Sequence, residues 1–370
     1  MGDDQPRAIL IGMLRLQHGL AAPTIAGLFS GKRFAPDPLT ERERERLETG
    51  SLADAPPDVA GDVPDWVLPV LAETFGDDCP AELRALGRRA PLDIRVNALK
   101  RDRATALEGL AHLSPEPTPH APHGLRIPIG ADGRGPALHV EPEFLEGWYE
   151  IQDEGSQLAS LLCGAGPDET VVDLCAGGGG KTLALAAAMN NTGRLIATDD
   201  DPRRLAPIHD RLRRAGAKAE VRTPRAGRAR ADVLADLDGT VDRVVVDAPC
   251  TGSGTWRRNP DAKWRLRPGS LSARIADQAE VLDRAARLAR PGGRITYVTC
   301  SLLPQENDAA VAGLLARTGT AFTVVDARTV VEAVAPTLAA AVRFTEHGLQ
   351  MSPALTGTDG FYVATLERRE

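Results

Sequence analysis

The chain of 370 residues has no run of about 18 unbroken apolar residues, the least that a membrane-crossing helix needs. Its start, Met1-Gly2-Asp3-Asp4, lacks the basic and apolar regions of a secretory signal. A reducing cytoplasm and no membrane contact are expected. The five cysteines (Cys79, Cys163, Cys175, Cys250 and Cys300) are odd in number, include no C-x-x-C pair and have no histidine at metal-ligand spacing. Neither a disulfide framework nor a zinc site is favoured, and no metal is expected. Internal repeats and low-complexity tails are absent too. Nor is there an excess of positive charge: the formal net charge is -7 and the pI near 5.6, which argues against a non-specific coat on nucleic acid. Core packing or thiol chemistry is left for the cysteines.

What is present is a globular composition, 42% apolar and 26% charged, on a chain long enough for two or three domains. Basic residues are patchy. Arg203, Arg204, Arg211, Arg213, Arg214, Lys218, Arg222, Arg225, Arg228 and Arg230 crowd one stretch, readable as a solvated helix face or a nucleic-acid contact. In a second, Trp256 and Trp264 alternate with Arg257, Arg258, Lys263, Arg265 and Arg267, the mixture that a base-stacking and phosphate-contacting loop needs. A solvated loop is the plainer reading of it.

Residues 8 to 16 read as a helix, followed to about residue 63 by short helices or linker. From 64 to about 146, helical patterns (Trp66 to Leu86, Ala104 to Leu113) and strand patterns (Ile94 to Asn97, Leu125 to Ile127) suggest a small α+β module. From 147 to 370 the pattern is regular. Strand candidates at 170–174, 194–199, 219–223, 243–248 and 294–299 alternate with helices at 182–189, 202–215, 271–288 and 305–317, and strands at 322–326 and 360–367 close one edge, the last plausibly antiparallel. Buried β-runs alternating with helices predict a doubly wound, mostly parallel sheet of seven strands.

Asp173-Leu174-Cys175-Ala176-Gly177-Gly178-Gly179-Gly180-Lys181-Thr182 leaves the first strand of that sheet and enters a helix. A Walker A loop needs glycine where Cys175 stands, and G-x-G-x-x-G finds Thr182 or Leu183 at its third glycine. An acid followed by close glycines suits S-adenosylmethionine instead. Backbone amides would meet its amino-acid part, while Asp199, ending the second strand, would accept from the ribose hydroxyls. A tight turn needing glycine for its backbone angles is the structural alternative.

In open α/β sheets ligands bind beyond the carboxyl ends of the strands, where Asp173, Asp199, Asp247, Cys250 and Cys300 all fall. Each cysteine alone also reads as a small buried apolar residue. Two together beside a methyl donor fit methylation at carbon 5 of cytosine. That carbon is too weak a nucleophile unless a thiolate adds at carbon 6, making covalent catalysis the way through. Lys181 is a candidate for lowering the thiol pKa, and Asp247 for bonding the cytosine ring nitrogen or amino group. A second thiol would assist elimination.

These motifs resemble the RsmB/NSUN RNA (cytosine-5)-methyltransferases, most closely the bacterial RsmB-like branch. The resemblance covers about residues 64 to 370 and rests on Ile94-Arg95-Val96-Asn97, Ile151 to Gln157, the glycine loop, Asp247-Ala248-Pro249-Cys250, Arg257-Arg258-Asn259-Pro260, Thr299-Cys300-Ser301 and Pro304-Gln305-Glu306-Asn307. It implies a Rossmann-like class I S-adenosylmethionine-dependent methyltransferase, preceded by an RRM-like RNA-binding module and a short helical N-terminal segment. It implies Cys300 as nucleophile and Cys250 as release thiol, with Asp247 and Lys181 beside them. Cofactor contacts are implied at Cys175, Ala176, Gly177, Gly178, Gly179, Gly180, Lys181, Asp199 and Asp247, and RNA contacts are expected at Arg257, Arg258 and Asn259. Small-subunit ribosomal RNA is the leading substrate, transfer RNA the second, and a monomer is expected. Three departures stand out. Gly178 replaces the proline of the family's Ala-Pro-Gly-Gly-Lys; Thr223-Pro224-Arg225 lacks the acid that holds adenine; and only about sixty residues stand where relatives carry a NusB-like domain. The last two leave open a non-catalytic RNA-binding or ribosome-assembly role. A methyltransferase of another target, with structural cysteines, is the third reading.

Overall fold

A computed structural model describes residues 5–16, 18–50, 55–130, 134–224 and 233–370. Arg225, Arg228 and Arg230 of the first basic patch lie outside the described residues. The chain forms two compact units, residues 1–68 and 69–370.

The first unit is helical: Pro6–Leu16, Ala22–Leu28, Glu41–Thr49 and Pro57–Gly61. Its small core joins Ile11, Ile25, Phe29, Leu39 and Leu47. Thr40 and Glu43 form a capping box at the third helix, each satisfying a backbone N–H that the first turn leaves unpaired.

In the second unit, strands β1 (Leu92–Val96), β2 (Glu116–Pro117), β3 (Gly124–Ile127) and β4 (Tyr149–Ile151) form an antiparallel sheet of order β2-β3-β1-β4. Ile94, Val96, Leu125, Ile127 and Tyr149 share its core. The expected Trp66 to Leu86 helix is two helices, Leu68–Phe75 and Cys79–Leu86, parted at Gly76 with φ +53°. β4 went unrecognised because three residues carry too little alternation to read. It lies beyond residue 146 in sequence, yet it pairs with β1 from Ile94↔Ile151 to Val96↔Tyr149.

The large sheet holds β5 (Thr170–Asp173), β6 (Arg194–Ala197), β7 (Glu220–Val221), β8 (Val241–Asp247), β9 (Ala289–Thr299), β10 (Phe322–Val325), β11 (Arg343–Phe344), β12 (Leu349–Met351) and β13 (Phe361–Arg368). Strands β7-β6-β5-β8-β9 run parallel, β13 is antiparallel to β9, and β10 is antiparallel to β13. The hairpin β11-β12 adds to the free stretch of the same β13 edge, making nine strands where seven were expected. The helix expected over 202–215 breaks into Pro202–Leu205 and Ile208–Ala215, because Pro207 has no N–H to continue the ladder.

Why β8 reads as a continuous apolar run is visible in its packing. Val244 and Val246 meet Leu282, Ala285 and Leu288 of the helix Pro268–Leu288, while Val245 faces Leu185 and Ala186 of the helix Gly180–Ala188. Successive strand residues point to opposite faces, so a strand covered on both sides needs apolar residues at every position. Full burial of each valine contributes on the order of 1.5–3 kcal/mol.

Candidate active site

Because β5, β6, β8 and β9 are parallel, their carboxyl ends open on one edge of the sheet. Asp173 ends β5, Asp199 follows β6, Asp247 ends β8, and Cys300 follows β9. The glycine loop crosses from β5 to the helix Gly180–Ala188. Gly177 has φ +50° and Gly179 φ +85°, and a Cβ on Gly179 would lie 2.5 Å from Ile208 Cγ1. Both positions require glycine. The Gly177 N–H donates to Asp199 Oδ2 at 2.9 Å, tying the loop to the end of β6. Asp173 is fully buried below the loop and accepts from Thr182 Oγ1 at 2.6 Å. Burial pushes its carboxyl up to about 7, with the nearby Asp247 adding to the effect and the Thr182 bond opposing it.

Beside the loop lies a cleft of about 480 Å³ lined by Leu174, Cys175, Asp199, Pro249, Val281 and Val233, among others, a size proper to small-molecule sites. It offers apolar walls for a flat ring and, at Asp199, an acceptor for hydroxyls. Of the expected cofactor contacts, Cys175 and Asp199 line it; Ala176 to Lys181 and Asp247 stand outside its lining. Its far wall, Arg274, Asp277, Glu280, Val281 and Arg284, escaped sequence reasoning. Periodicity marks the helix Pro268–Leu288 but not what it faces. The Cys175 thiol is pushed well up by burial, then by the surrounding Asp199, Asp173 and Asp247.

Cys250 and Cys300, fifty residues apart, have sulfurs 3.3 Å apart, within hydrogen-bond reach. All five cysteines are free thiols. The Cys250 thiol is held well above its usual range, first by the bond with Cys300, then by burial, and further by Cys300 and Glu306 as negative neighbours. Lys181 Nζ donates to Asp247 Oδ2 at 2.8 Å and lies 5.2 Å from the Phe361 ring centre. Burial works to lower the Lys181 pKa, but Asp247 outweighs it and the net shift is upward. Lys181 is thus a buried, charged ammonium, whose half-buried partner Asp247 reaches the crevice.

The second basic patch is corrected by the structure. Trp256 is 1% exposed and packed inside, so it offers no stacking face. Arg257, with 6% of its side chain exposed, donates to Asp359 Oδ1 at 2.6 Å and to the Gly357 carbonyl at 3.1 Å, and reaches Asp153 Oδ2 at 3.4 Å. Arg258 pairs with the same two carboxylates. Expected as phosphate contacts, both arginines pair with Asp153 and Asp359; Arg257 is thereby buried in a clasp, whereas Arg258 keeps 31% of its side chain exposed. A buried guanidinium demands carboxylate partners, and a sequence does not show which arginines find them. Asn259, Trp264, Arg265 and Arg267 remain exposed. In the first patch Arg211 and Arg214 are likewise held on Glu150, and Arg222 on Asp236.

A family profile described as 16S rRNA methyltransferase RsmB/F matches residues 161–367. The chain belongs to the RsmB/F methyltransferase family. A profile for the ferredoxin-like domain of RsmF/B-like methyltransferases matches residues 63–132. Ribosomal RNA small subunit methyltransferase B of Sodalis glossinidius is 32% identical, over 97% of this chain and 80% of its own length. Among solved structures, that of PH0851 has a TM-score of 0.71 at 29% identity, covering 91% of this chain and 70% of the other. NSun6 from Pyrococcus horikoshii, solved with SFG, has a TM-score of 0.68 at 20% identity, covering 83% and 98%, which speaks to the fold. The RsmB/F enzymes depend on S-adenosylmethionine, and the residues of the cleft fit it, with an acid at the end of β6 and apolar walls, while the glycine loop enters a helix beside it. Among the described residues no helix is long and apolar enough to cross a membrane.

Proposed function

We propose that this protein transfers a methyl group from S-adenosylmethionine to carbon 5 of a cytosine in small-subunit ribosomal RNA, through a covalent adduct on Cys300, in a reducing cytoplasm. The observation that carries the reading is the thiol pair. Two sulfurs 3.3 Å apart stand at adjacent strand ends, beside the pair of buried Lys181 and half-buried Asp247 and the cofactor cleft.

Bound S-adenosylmethionine supplies an electrophilic methyl group. Cys300, as thiolate, adds to carbon 6 of the ring, and the proton taken up by the ring nitrogen comes from the Lys181 ammonium, passed through the Asp247 carboxylate that it bonds at 2.8 Å. Carbon 5 becomes enamine-like and takes the methyl group; a water molecule in the open crevice accepts the carbon 5 proton, the bond from carbon 6 to sulfur breaks with its electron pair returning to Cys300 as thiolate, and the ring nitrogen gives its proton back through Asp247 to Lys181. Cys250, acting as the protonated thiol 3.3 Å away, donates a hydrogen bond to the departing Cys300 sulfur and so lowers the barrier to release. The same bond stabilises the thiolate before attack.

The test is transfer of labelled methyl groups to small-subunit RNA lacking 5-methylcytosine, read on denaturing gels for the parent chain, Cys250→Ala and Cys300→Ala. The parent should label the RNA, Cys250→Ala should leave an RNA-linked protein band, and Cys300→Ala should give neither while still binding the cofactor. Full turnover by Cys300→Ala would refute the assignment.

A further inference from the structure

Both cysteines are followed by a hydroxyl residue, Thr251 after Cys250 and Ser301 after Cys300. Both hydroxyls end on one carboxyl group. Glu306, fully buried in the turn Pro304–Glu306, accepts through Oε2 from Thr251 Oγ1 and Ser301 Oγ. Its Oε1 accepts from the Thr251 backbone N–H at 2.8 Å and from Gln278 Nε2 at 3.0 Å. Gln278 also donates to the Pro249 carbonyl at 2.9 Å, so the residues on both sides of Cys250 are tied to the same buried centre. Three further bonds join the loops: Ser253 Oγ lies 3.1 Å from Ser301 Oγ and accepts from the Leu302 N–H at 2.8 Å, and the Gly254 N–H donates to the Cys300 carbonyl at 2.9 Å. Four donors converge on two oxygens, an arrangement that a carboxylate satisfies and an amide, with one acceptor and two donors of its own, does not.

We propose that Glu306 is a positioning residue that sets the spacing of the two thiols, holding the loop of Cys250 against that of Cys300 so that the release thiol meets the sulfur it must relieve. The proposal rests on the two-thiol reading above. It is separable from that reading, because thiol spacing has a readout that needs no RNA. Diamide removes two electrons and two protons from a pair of thiols in reach, forming one sulfur–sulfur bond and the corresponding hydrazine.

The experiment compares the parent chain with Glu306→Gln and with Thr251→Val, which cuts one bond of the centre without altering the buried carboxyl group. The rate at which diamide links Cys250 to Cys300 is followed by peptide mass. Reaction is steeply sensitive to misplacement of the partners, so Glu306→Gln should slow linking by about tenfold or more and Thr251→Val by less. With RNA and cofactor, both variants should accumulate the RNA-linked band expected of Cys250→Ala, at unchanged affinity for S-adenosylmethionine. Linking at the parent rate in both variants would overturn the proposal. So would slowed linking accompanied by lost cofactor binding and non-cooperative unfolding, which would mark Glu306 as structural only. If Glu306→Gln does not fold, Thr251→Val decides. Slowed linking in variants of a parent that never labels RNA would leave the positioning role standing and remove the proposed reaction.

Discussion

Replacing Arg257 with alanine separates a structural clasp from a phosphate contact. Arg257 and its partners expose at most 6% of their side chains, so the substitution leaves buried carboxylates short of a cation. Breaking such a pair costs about 3–5 kcal/mol; because Arg258 still reaches both Asp153 and Asp359, the lower end, about 3 kcal/mol, is expected. Asp359 already sits above the usual carboxylate range, pushed by burial and then by Asp153, against the pull of Arg258 and Arg257. Losing Arg257 raises it further. A carboxyl whose folded pKa lies above its unfolded value favours the native state while protonated, and that contribution is lost as pH rises through the folded value. The deficit of Arg257→Ala should therefore be larger near about pH 8 than near about pH 5. Urea unfolding at both pH values measures it, and RNA affinity against salt concentration gives the second arm. A clasp leaves the salt slope unchanged. A stability loss below about 1 kcal/mol, with a slope shallower by about one unit, would refute the reasoning and restore Arg257 as a phosphate contact.

Two further outcomes follow from the loop. Asp173, raised to about 7 by burial, should stabilise the fold fully below the unfolded carboxylate value and lose that contribution as pH climbs through about 7. Asp173→Asn should flatten thermal stability against pH, and parallel curves would count against the assignment. Gly179→Ala should cost about 1–3 kcal/mol, from the strained φ and the collision with Ile208, and weaken cofactor binding in calorimetry. Gly178→Ala, whose new Cβ would meet only the flexible end of Arg211 at 3.2 Å, should be nearly neutral; equal losses at both positions would show that backbone conformation is not what the loop demands.

Where sequence sufficed, one local pattern decided the outcome. β8 could be read because burial on both faces leaves an unbroken apolar run, and the thiols could be placed because parallel strands bring their carboxyl ends together. What escaped depends on long-range partners. Arg257 and an exposed arginine are alike in sequence until Asp153 and Asp359, about a hundred residues away on either side, are seen to enclose one of them. Glu306 stood inside a recognised motif with no role, because its four donors come from three separate segments. β11 and β12, only two and three residues long, fall below the length at which alternation can be seen.

β4 has a consequence for how the molecule can be divided. A fragment ending at residue 146 would keep β1 and β3 but strip β1 of its other neighbour and expose a row of unpaired backbone groups, an invitation to pair with another chain. The joint is also stitched by side chains: Arg95 donates to the Gly180 carbonyl at 3.0 Å, and Asn97 to the carbonyls of Gly147 and Ala215 at 2.9 and 2.8 Å. Arg95 thereby ends on the helix that begins at the glycine loop. The small sheet is therefore tied to the glycine-loop helix and to the end of the helix Ile208–Ala215 by side-chain bonds as well as by the chain itself. Cutting the chain between them would break both a backbone ladder and the side-chain bonds that anchor the start of the glycine-loop helix.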